Sequence, residues 1–363
     1  MASSGGHWKT LAEAQKLTQS TKIPGVFEED VKRNPPLERV PVAQAAGTGL
    51  KIEWLREKST VEAAVVEAAQ GDQLVWGEDI DYTEVESTLR YVYIQRKLDR
   101  YNQNIYGTYN DYKAQSLLEC EKGLKRKCSD RFIYADTTYG GSPTQWDGAH
   151  ALAAEKGTPN AAATVTYSDL NLDMETGALS LALLRRMIDA MKQGIDEIWV
   201  PPQIGIRIDS AYGESSFITD TGEALQTIVR GDRSMLTRGL NEIGMPINFF
   251  MGIPIIRTDY LVAEADGTGT GATSNARGKW ASSTRCYSLF GVKFGNVMEK
   301  EPGICFAYGG MEGAGDLYEL FTWERLEDYN AGGMRLDSYG TVLLGSTMCL
   351  GRIFDITDAA VVI

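Results

Sequence analysis

Residues 47–136 read GTGLKIEWLREKSTVEAAVVEAAQGDQLVWGEDIDYTEVESTLRYVYIQRKLDRYNQNIYGTYNDYKAQSLLECEKGLKRKCSDRFIYAD, and the apolar period changes once along them. From Thr48 to Lys58, Leu50, Ile52 and Trp54 alternate with Lys51 and Glu53, the two-residue period of a strand. The return arm, Ser87 to Leu98, sets Leu89, Tyr91 and Tyr93 on one face and Val92, Ile94 and Arg96 on the other, and is expected to be the longest strand of the protein. After Asn102-Gln103-Asn104 the spacing turns helical. Leu117, Cys120, Leu124 and Cys128 mark one stripe, which Tyr109 and Tyr112 extend, so a helix is expected from about Tyr106 to Ser129.

A two-armed strand excursion of this length cannot bury itself. Between Thr60 and Leu89 it carries eight acids (Glu62, Glu67, Asp72, Glu78, Asp79, Asp81, Glu84, Glu86) and no Lys or Arg, with Val61, Val65, Val66, Leu74, Val75, Trp76, Ile80, Tyr82 and Val85 among them. Isolated two-stranded ribbons are marginal in water, so the tongue implies a partner surface, most simply another copy of the chain. Trp76, Glu78, Asp79 and Asp81 are the candidate contact residues on it. The helix that follows ends in Lys122, Lys125, Arg126, Lys127 and Arg131, five positive charges within ten residues. Such charges complement the helix dipole and are solvated at a gain of a few tenths of a kcal/mol each. The alternative is a docking patch, Lys125, Arg126 and Lys127, for the acidic tongue of a neighbour.

Composition bounds the rest. A chain of 363 residues, 43% apolar and 23% charged, is ordinary for a globular protein of one large domain or two. No apolar run approaches the roughly 18–20 residues that span a bilayer, and MASSGGHWKTLAEAQK lacks the basic-then-apolar order of a signal peptide, so a protein made in the cytoplasm, with no membrane, is expected. The formal charge of −13 argues against gripping nucleic acid over a broad face, which needs clustered Lys and Arg. It does not exclude a container whose wall must not adhere to DNA. Five scattered cysteines without a CxxC pair read as buried, reduced thiols.

Residues 1–18 hold a weak helical pattern, and Pro24, Pro35, Pro36 and Pro41 then favour an extended arm lying on a surface. The Gly/Ala/Ser/Thr-rich segment 137–168 reads as loop. GALSLALLRRMIDAMKQG places Leu181, Leu184, Ile188 and Met191 on one helix face, with Gly194 as its terminating residue. A short strand, Ile198 to Val200, stops at Pro201-Pro202. Residues 203–245 have no assignable pattern. PINFFMGIPIIRTDYLV reads as a strand broken by a Gly-x-Pro turn, and the segment around 265–280 as an exposed insertion. Short strands follow from Cys286, and MRLDSYGTVLLGSTMCLGRIFDIT closes the chain as a long apolar strand pair.

Catalytic motifs fail on inspection. Gly267-Thr-Gly269-Thr-Gly-Ala272 fits a dinucleotide pattern, but no helix can begin at TSNARGKW. Gly278-Lys279 lacks the first glycine and the hydroxyl of a phosphate-binding loop, and there is no GxSxG elbow. His7 and His150, the latter in a Gly/Ala loop, leave little material for a His-based metal site or triad. No catalytic, cofactor-binding or metal-binding residue is assigned, and no cofactor is expected.

The order of arm, tongue, long helix, mixed α/β region and returning strand resembles the major capsid protein of tailed double-stranded DNA bacteriophages with the Hong Kong 97 fold. LVWGEDIDYTEVESTLRYVYIQRKLDR is similar to that family's extended loop, with Trp76 to Glu78 at its tip. NIYGTYNDYKAQSLLECEKGLKRK is similar to its spine helix, EIWVPP to a strand-then-proline step in the axial domain, and FFMGIPIIRTDYL to a Gly-x-Pro-Val segment. The resemblance spans about residues 20–363. The Gly/Ser/Thr segments around 137–165 and 265–280 depart from it in length.

What the resemblance implies is an α+β chain: an N-terminal arm (1–46), an extended loop (47–98), a peripheral domain with the spine helix (99–169), an axial α/β domain (170–334) and a return strand (335–363). It further implies a non-enzymatic protein that self-assembles through pentamers and hexamers into an icosahedral shell around a double-stranded DNA genome contacted only weakly. A separate scaffolding protein, a portal and a decoration protein are the further partners expected, and the virion capsid the location. Two other readings stand beside it: an encapsulin-type compartment enclosing cargo enzymes, which shares the fold, and an acidic α/β enzyme, which requires a deep pocket of convergent polar groups.

Overall fold

The computed structural model describes residues 28–45, 50–57, 65–73, 82–100, 104, 112–137, 143–154, 168–213, 236–240, 246–265, 279–280, 284–309, 316–326 and 330–362. In chain order the strands are β1 (Val42–Gln44), β2 (Lys51–Glu57), β3 (Tyr82–Thr88), β4 (Arg90–Asp99), β5 (Asn171–Asp173), β6 (Glu197–Val200), β7 (Leu236–Leu240), β8 (Pro246–Phe250), β9 (Ile253–Arg257), β10 (Glu264–Ala265), β11 (Arg285–Val292), β12 (Ile304–Tyr308), β13 (Glu319–Trp323), β14 (Ala331–Leu344) and β15 (Leu350–Ile356). The helices are α1 (Tyr112–Tyr134), α2 (Ala149–Ala154), α3 (Leu181–Ala190) and α4 (Pro202–Gly213), with a single helical turn at Pro36–Arg39.

Strand β14 organises the first sheet. Along one edge it pairs antiparallel with β4 from Ala331↔Asp99 to Gly340↔Arg90. Along the other it takes β13 and then β12, and β1 adds parallel to β12. Gly340 lies under the Phe306 ring of β12 with no room for a Cβ, so the close approach of the two strands requires glycine. Helix α1 crosses one face of this sheet, where Leu124, Cys128 and Phe132 share a core with Val92 and Leu336. Cys120 meets Leu98 and Met334 further along.

The second sheet has the order β5-β15-β11-β6-β9-β8-β7, with β10 added to β11. Leu181, Leu184 and Met187 of α3 and Ile204 and Ile208 of α4 pack on Ile198, Val200, Leu289 and Ile353. Trp199, Phe290 and Val292 join the α1 core, so one apolar cluster connects the two sheets.

The helical stripe predicted for α1 is the buried one, but the helix runs past Ser129 to Tyr134 because Phe132 and Ile133 continue it into the core; its expected start near Tyr106 lies outside the described residues. Among the described strands the longest is β14, with 14 residues, against 10 in β4, because β14 is paired along both edges. Segment 143–154 is not all loop: Ala149–Ala154 is a buried helix whose small side chains let it sit deep in the core. Helix α4 was not foreseen. Pro202 opens it and Ile204, Ile208 and Ala211 bury one face, but Gly205 and three isoleucines obscure that spacing. The turn in PINFFMGIPIIR falls on Met251-Gly252, both with positive φ (51° and 82°), and Pro254 sits inside β9. The final two strands do not pair with one another; β14 and β15 belong to different sheets.

All five cysteines are free and buried, and burial pushes the Cys128 thiol up to about 12. Beneath the α1–α2 junction lies a buried polar chain. The Tyr134 hydroxyl donates to Glu264 Oε1 (3.0 Å), Ser288 donates to Oε2, and His150 Nε2 lies 3.0 Å from Oε1. On the other side of the imidazole, Nδ1 lies 3.3 Å from an Arg352 guanidinium nitrogen, and Arg352 Nε donates to Asn171 (2.8 Å). Burial pushes the Glu264 carboxyl upward, but its attraction to His150 and the hydrogen bonds from His150, Ser288 and Tyr134 prevail and hold it below the usual carboxylate range. Burial first, and then the Glu264 charge, raise the Tyr134 hydroxyl well above its ordinary value.

Glu264→Gln removes the carboxylate that faces the buried Arg352 across His150, and is expected to lower unfolding free energy by about 3–5 kcal/mol in urea titrations of the purified chain. Because the folded-state pKa of Glu264 is depressed, its stabilisation is complete above the unfolded value of about 4.3 and is lost as pH falls through the lower folded value. The variant should therefore lose stability less steeply below about pH 4.3; an unchanged slope would contradict the assignment.

Candidate assembly surfaces

The ribbon has one covered face and one bare face. Strands β2 and β3 pair in register from Lys51↔Thr88 to Glu57↔Tyr82. Ile52 and Trp54 pack against Ala43, Cys305, Ala307 and Leu343 of the first sheet. Arg56 Nε donates to the Gly345 carbonyl (3.0 Å), and the Ser87 and Thr341 hydroxyls meet at 2.7 Å. The base of the tongue thus leans on its own body. On the opposite face Leu55 is 68% exposed and Tyr82 64% exposed, and Glu53 stands directly across from Glu86. Opposed like charges destabilise a ribbon, and Lys51, 2.5 Å from Glu86, offsets only part of this. Residues 65–73 are exposed throughout, including Val65 and Val66.

The arm is stitched to the body from Glu28 onward. Arg33 donates through its backbone N–H (2.8 Å) and side chain to Asp259, and Asn34 Nδ2 donates to the Arg257 carbonyl (2.7 Å). Arg39 forks onto Glu197, which also accepts from Trp199 Nε1 (2.8 Å). Strand β1 then joins β12. The arm read from the prolines as surface-lying instead enters the core, with Leu37 and Val40 in the α1 cluster and Ala43 under the ribbon, and cation–carboxylate forks fix it there. Their signal in the sequence was only Arg33 and Arg39 placed between prolines.

The basic end of α1 does not act as one patch. Lys125 pairs with Glu121 one turn back (2.7 Å). The Arg126 guanidinium donates to Asp30 (2.6 Å), Glu28 (3.0 Å) and the Asp30 carbonyl, and Lys122 also meets Glu28. These acids belong to the chain's own arm. Lys127 turns instead toward a cavity of about 260 Å³ lined also by Asp130, Arg131, Tyr134, Gln145 and Lys279. On the tongue, Trp76, Glu78, Asp79 and Asp81 lie outside the described residues.

Sequence reading missed a further surface. The face of the first sheet turned away from α1 carries an aromatic row: Tyr93 stacks on Tyr91 (5.1 Å between centroids) and Tyr91 on Tyr339 (4.9 Å). Beside them Arg335 lies over Phe321 (5.0 Å) and Trp323 (5.4 Å) and donates to the buried Asp337 (2.8 Å), which also accepts from the Tyr91 hydroxyl (2.9 Å). The alternation in RYVYIQ and ELFTW was visible, but only the β14 register brings the two stretches side by side. Among the described residues there is no group of three His, Cys, Asp or Glu side chains able to hold a metal, and no helix long and apolar enough to cross a membrane.

No protein-family profile and no curated protein sequence matches the chain. Solved structures do. The chain is similar to the holo-SrpI encapsulin complex from Synechococcus elongatus PCC 7942, at a TM-score of 0.60 and 11% identity over 97% of each chain. It is similar to the capsid of a native GTA particle, at 0.59 and 11% over 95% of this chain and 98% of that one. It is also similar to the capsid of Cyanophage P-SCSP1u, at 0.53 and 12% over 94% of both. The protein therefore has the Hong Kong 97 fold, as a mixed helix-and-sheet chain matched nearly end to end.

If the forks hold the arm to the body, Arg39→Ala, which leaves Glu197 with Trp199 as its neighbour, should cost about 1.5–3 kcal/mol and raise amide hydrogen exchange across residues 36–44. Exchange unchanged in that segment would show that strand β1 alone fixes the arm.

Proposed function

We propose that the protein is a major capsid protein, forming pentamers and hexamers that close into an icosahedral shell around double-stranded DNA. The observation that supports this most directly is the ribbon: its base rests on its own subunit while its outer face and residues 65–73 remain bare, apolar and acidic. A partner of like fold is the simplest cover. Near end-to-end fold similarity to phage and GTA capsids supports the same reading.

In this reading we also propose the division into arm, extended loop, peripheral domain, axial domain and return strand, with β12 and β13 crossing to the first sheet and β15 to the second. The tongue tip, Trp76 with Glu78, Asp79 and Asp81, contacts a neighbour near Lys125 and Lys127, whereas Arg126 is engaged by its own arm. Weak contacts repeated over several interfaces give a stable shell without any one being tight, and heterologous interfaces that close produce rings. No residue is assigned a catalytic role. Scaffold, portal and decoration proteins are partners of the kind such a shell requires, and the net charge of −13 suits a wall that does not adhere to its DNA.

The second reading, an encapsulin-type compartment, is favoured by the fold likeness to the encapsulin complex. The two differ in content: nucleic acid in one, cargo enzyme in the other.

Negative-stain microscopy of the purified chain is expected to show closed shells or rings of five and six. Reversing Lys125 and Lys127 to Glu should reduce particle yield at low salt, with partial return of wild-type behaviour as salt screens the repulsion. A monodisperse monomer at every concentration would contradict the assembly reading, and unimpaired assembly of the reversed variant would remove Lys125 and Lys127 from it.

A further inference from the structure

The cavity on the C-terminal turn of α1 concentrates positive charge in a chain that is otherwise strongly acidic. Lys127, Asp130, Arg131 and Tyr134 occupy one helical face, at spacings of three, one and three residues, and Lys279 and Gln145 complete the lining. The end of a helix carries partial negative charge, which favours cations there. Lys279 is held in place: its ammonium donates to Asp130 Oδ1 (2.5 Å) and lies 5.3 Å from the Tyr134 ring centroid. Among the described residues, three cations against one carboxylate leave the lining with two net positive charges.

One donor here is unsatisfied. Arg131 Nε is buried and has no hydrogen-bond partner among the described residues. Burial also keeps that nitrogen out of reach of the cavity, so it is the charge of Arg131 that the lining offers. The Gln145 amide offers a neutral donor on the same lining.

We propose that this cavity binds a phosphate group. A guanidinium and two ammonium groups around one recess provide the charge-assisted donors that oxyanions take. A phosphate monoester or orthophosphate, at about −1.5 to −2 charge near neutral pH, balances the lining. A carboxylate carries half that charge and fewer acceptor oxygens. The phosphate can be a free ion or a terminal monoester such as a nucleic-acid 5′-phosphate, which share the doubly charged group; a backbone diester, at a single charge, balances the lining no better than a carboxylate. Lys125 and Arg126, engaged elsewhere, take no part. Binding is read on subunits, so it stands or falls separately from assembly.

The test is calorimetric titration of orthophosphate into the purified full-length chain at low salt, with duplex DNA, carrying or lacking 5′-phosphates, in parallel. One saturable site is expected, weakened about tenfold or more in Lys127→Ala and in Lys279→Ala and unchanged in Lys125→Ala. Lys127 is exposed, so its truncation leaves folding intact, which a melting curve checks. Orthophosphate binding, or duplex binding that requires the 5′-phosphate, identifies a free or terminal phosphate as the source. Duplex binding that is indifferent to the 5′-phosphate would mean that singly charged backbone diesters suffice and would overturn the proposal. Absence of saturable binding in both arms, variants that bind like the wild type, or acetate binding as tightly as phosphate would each overturn the proposal.

Discussion

A two-stranded ribbon can bury at most one face against the body that carries it, and this one buries only the base of that face. Ile52, Trp54 and Arg56 settle on the first sheet, while Leu55, Tyr82, Glu53 and Glu86 point away from it. The rest of the architecture serves to hold that arrangement. Strand β14 grips β4 over ten residues, so the chain leaves the ribbon directly into a strand paired along its whole length, and α1 clamps that pairing from behind. The tongue is therefore projected from a rigid root. An element that is rigidly presented, acidic and apolar at once has the character of an interface half whose other half lies on another molecule.

The long helix and the strand character of the ribbon arms were legible because each rests on local periodicity, but the return arm is β3 (Tyr82–Thr88), and the strand expected over Ser87 to Leu98 joins β14 as β4 instead. Leu117, Cys120, Leu124 and Cys128 fall on one helical stripe, and Ile52 and Trp54 on one strand face, whatever they pack against. What was not legible depends on contacts distant in sequence. His150 looked like a loop residue until Glu264 and Arg352 closed around it. Arg126 looked available until Glu28 and Asp30 reached it. The separation of β14 from β15 could not be read from two adjacent apolar strands, because either could join either sheet. Helix α4 was hidden by weak helix formers whose cost the Ile204–Ile208 contact with the core repays.

Charge in this protein is sorted rather than simply negative. Acids crowd the tongue, cations close the end of α1, and forks such as Arg39–Glu197 spend opposite charges on fixing the arm. A surface pair contributes little alone, so the value of this sorting lies in orientation and in exclusion of wrong partners, and it weakens as salt rises. The buried Glu264–His150–Arg352 chain is of another kind. Removed from water, it ties α2 to the second sheet and demands complete pairing.

The central claim is that neighbouring copies cover what the ribbon leaves bare. Amide hydrogen exchange over residues 51–57, 65–73 and 82–88, compared between dispersed subunits and assembled particles, tests it most directly. Exchange should slow strongly in all three segments on assembly while residues 350–356 stay equally protected in both states. Equal exchange of the ribbon in the two states would mean that no neighbour covers it.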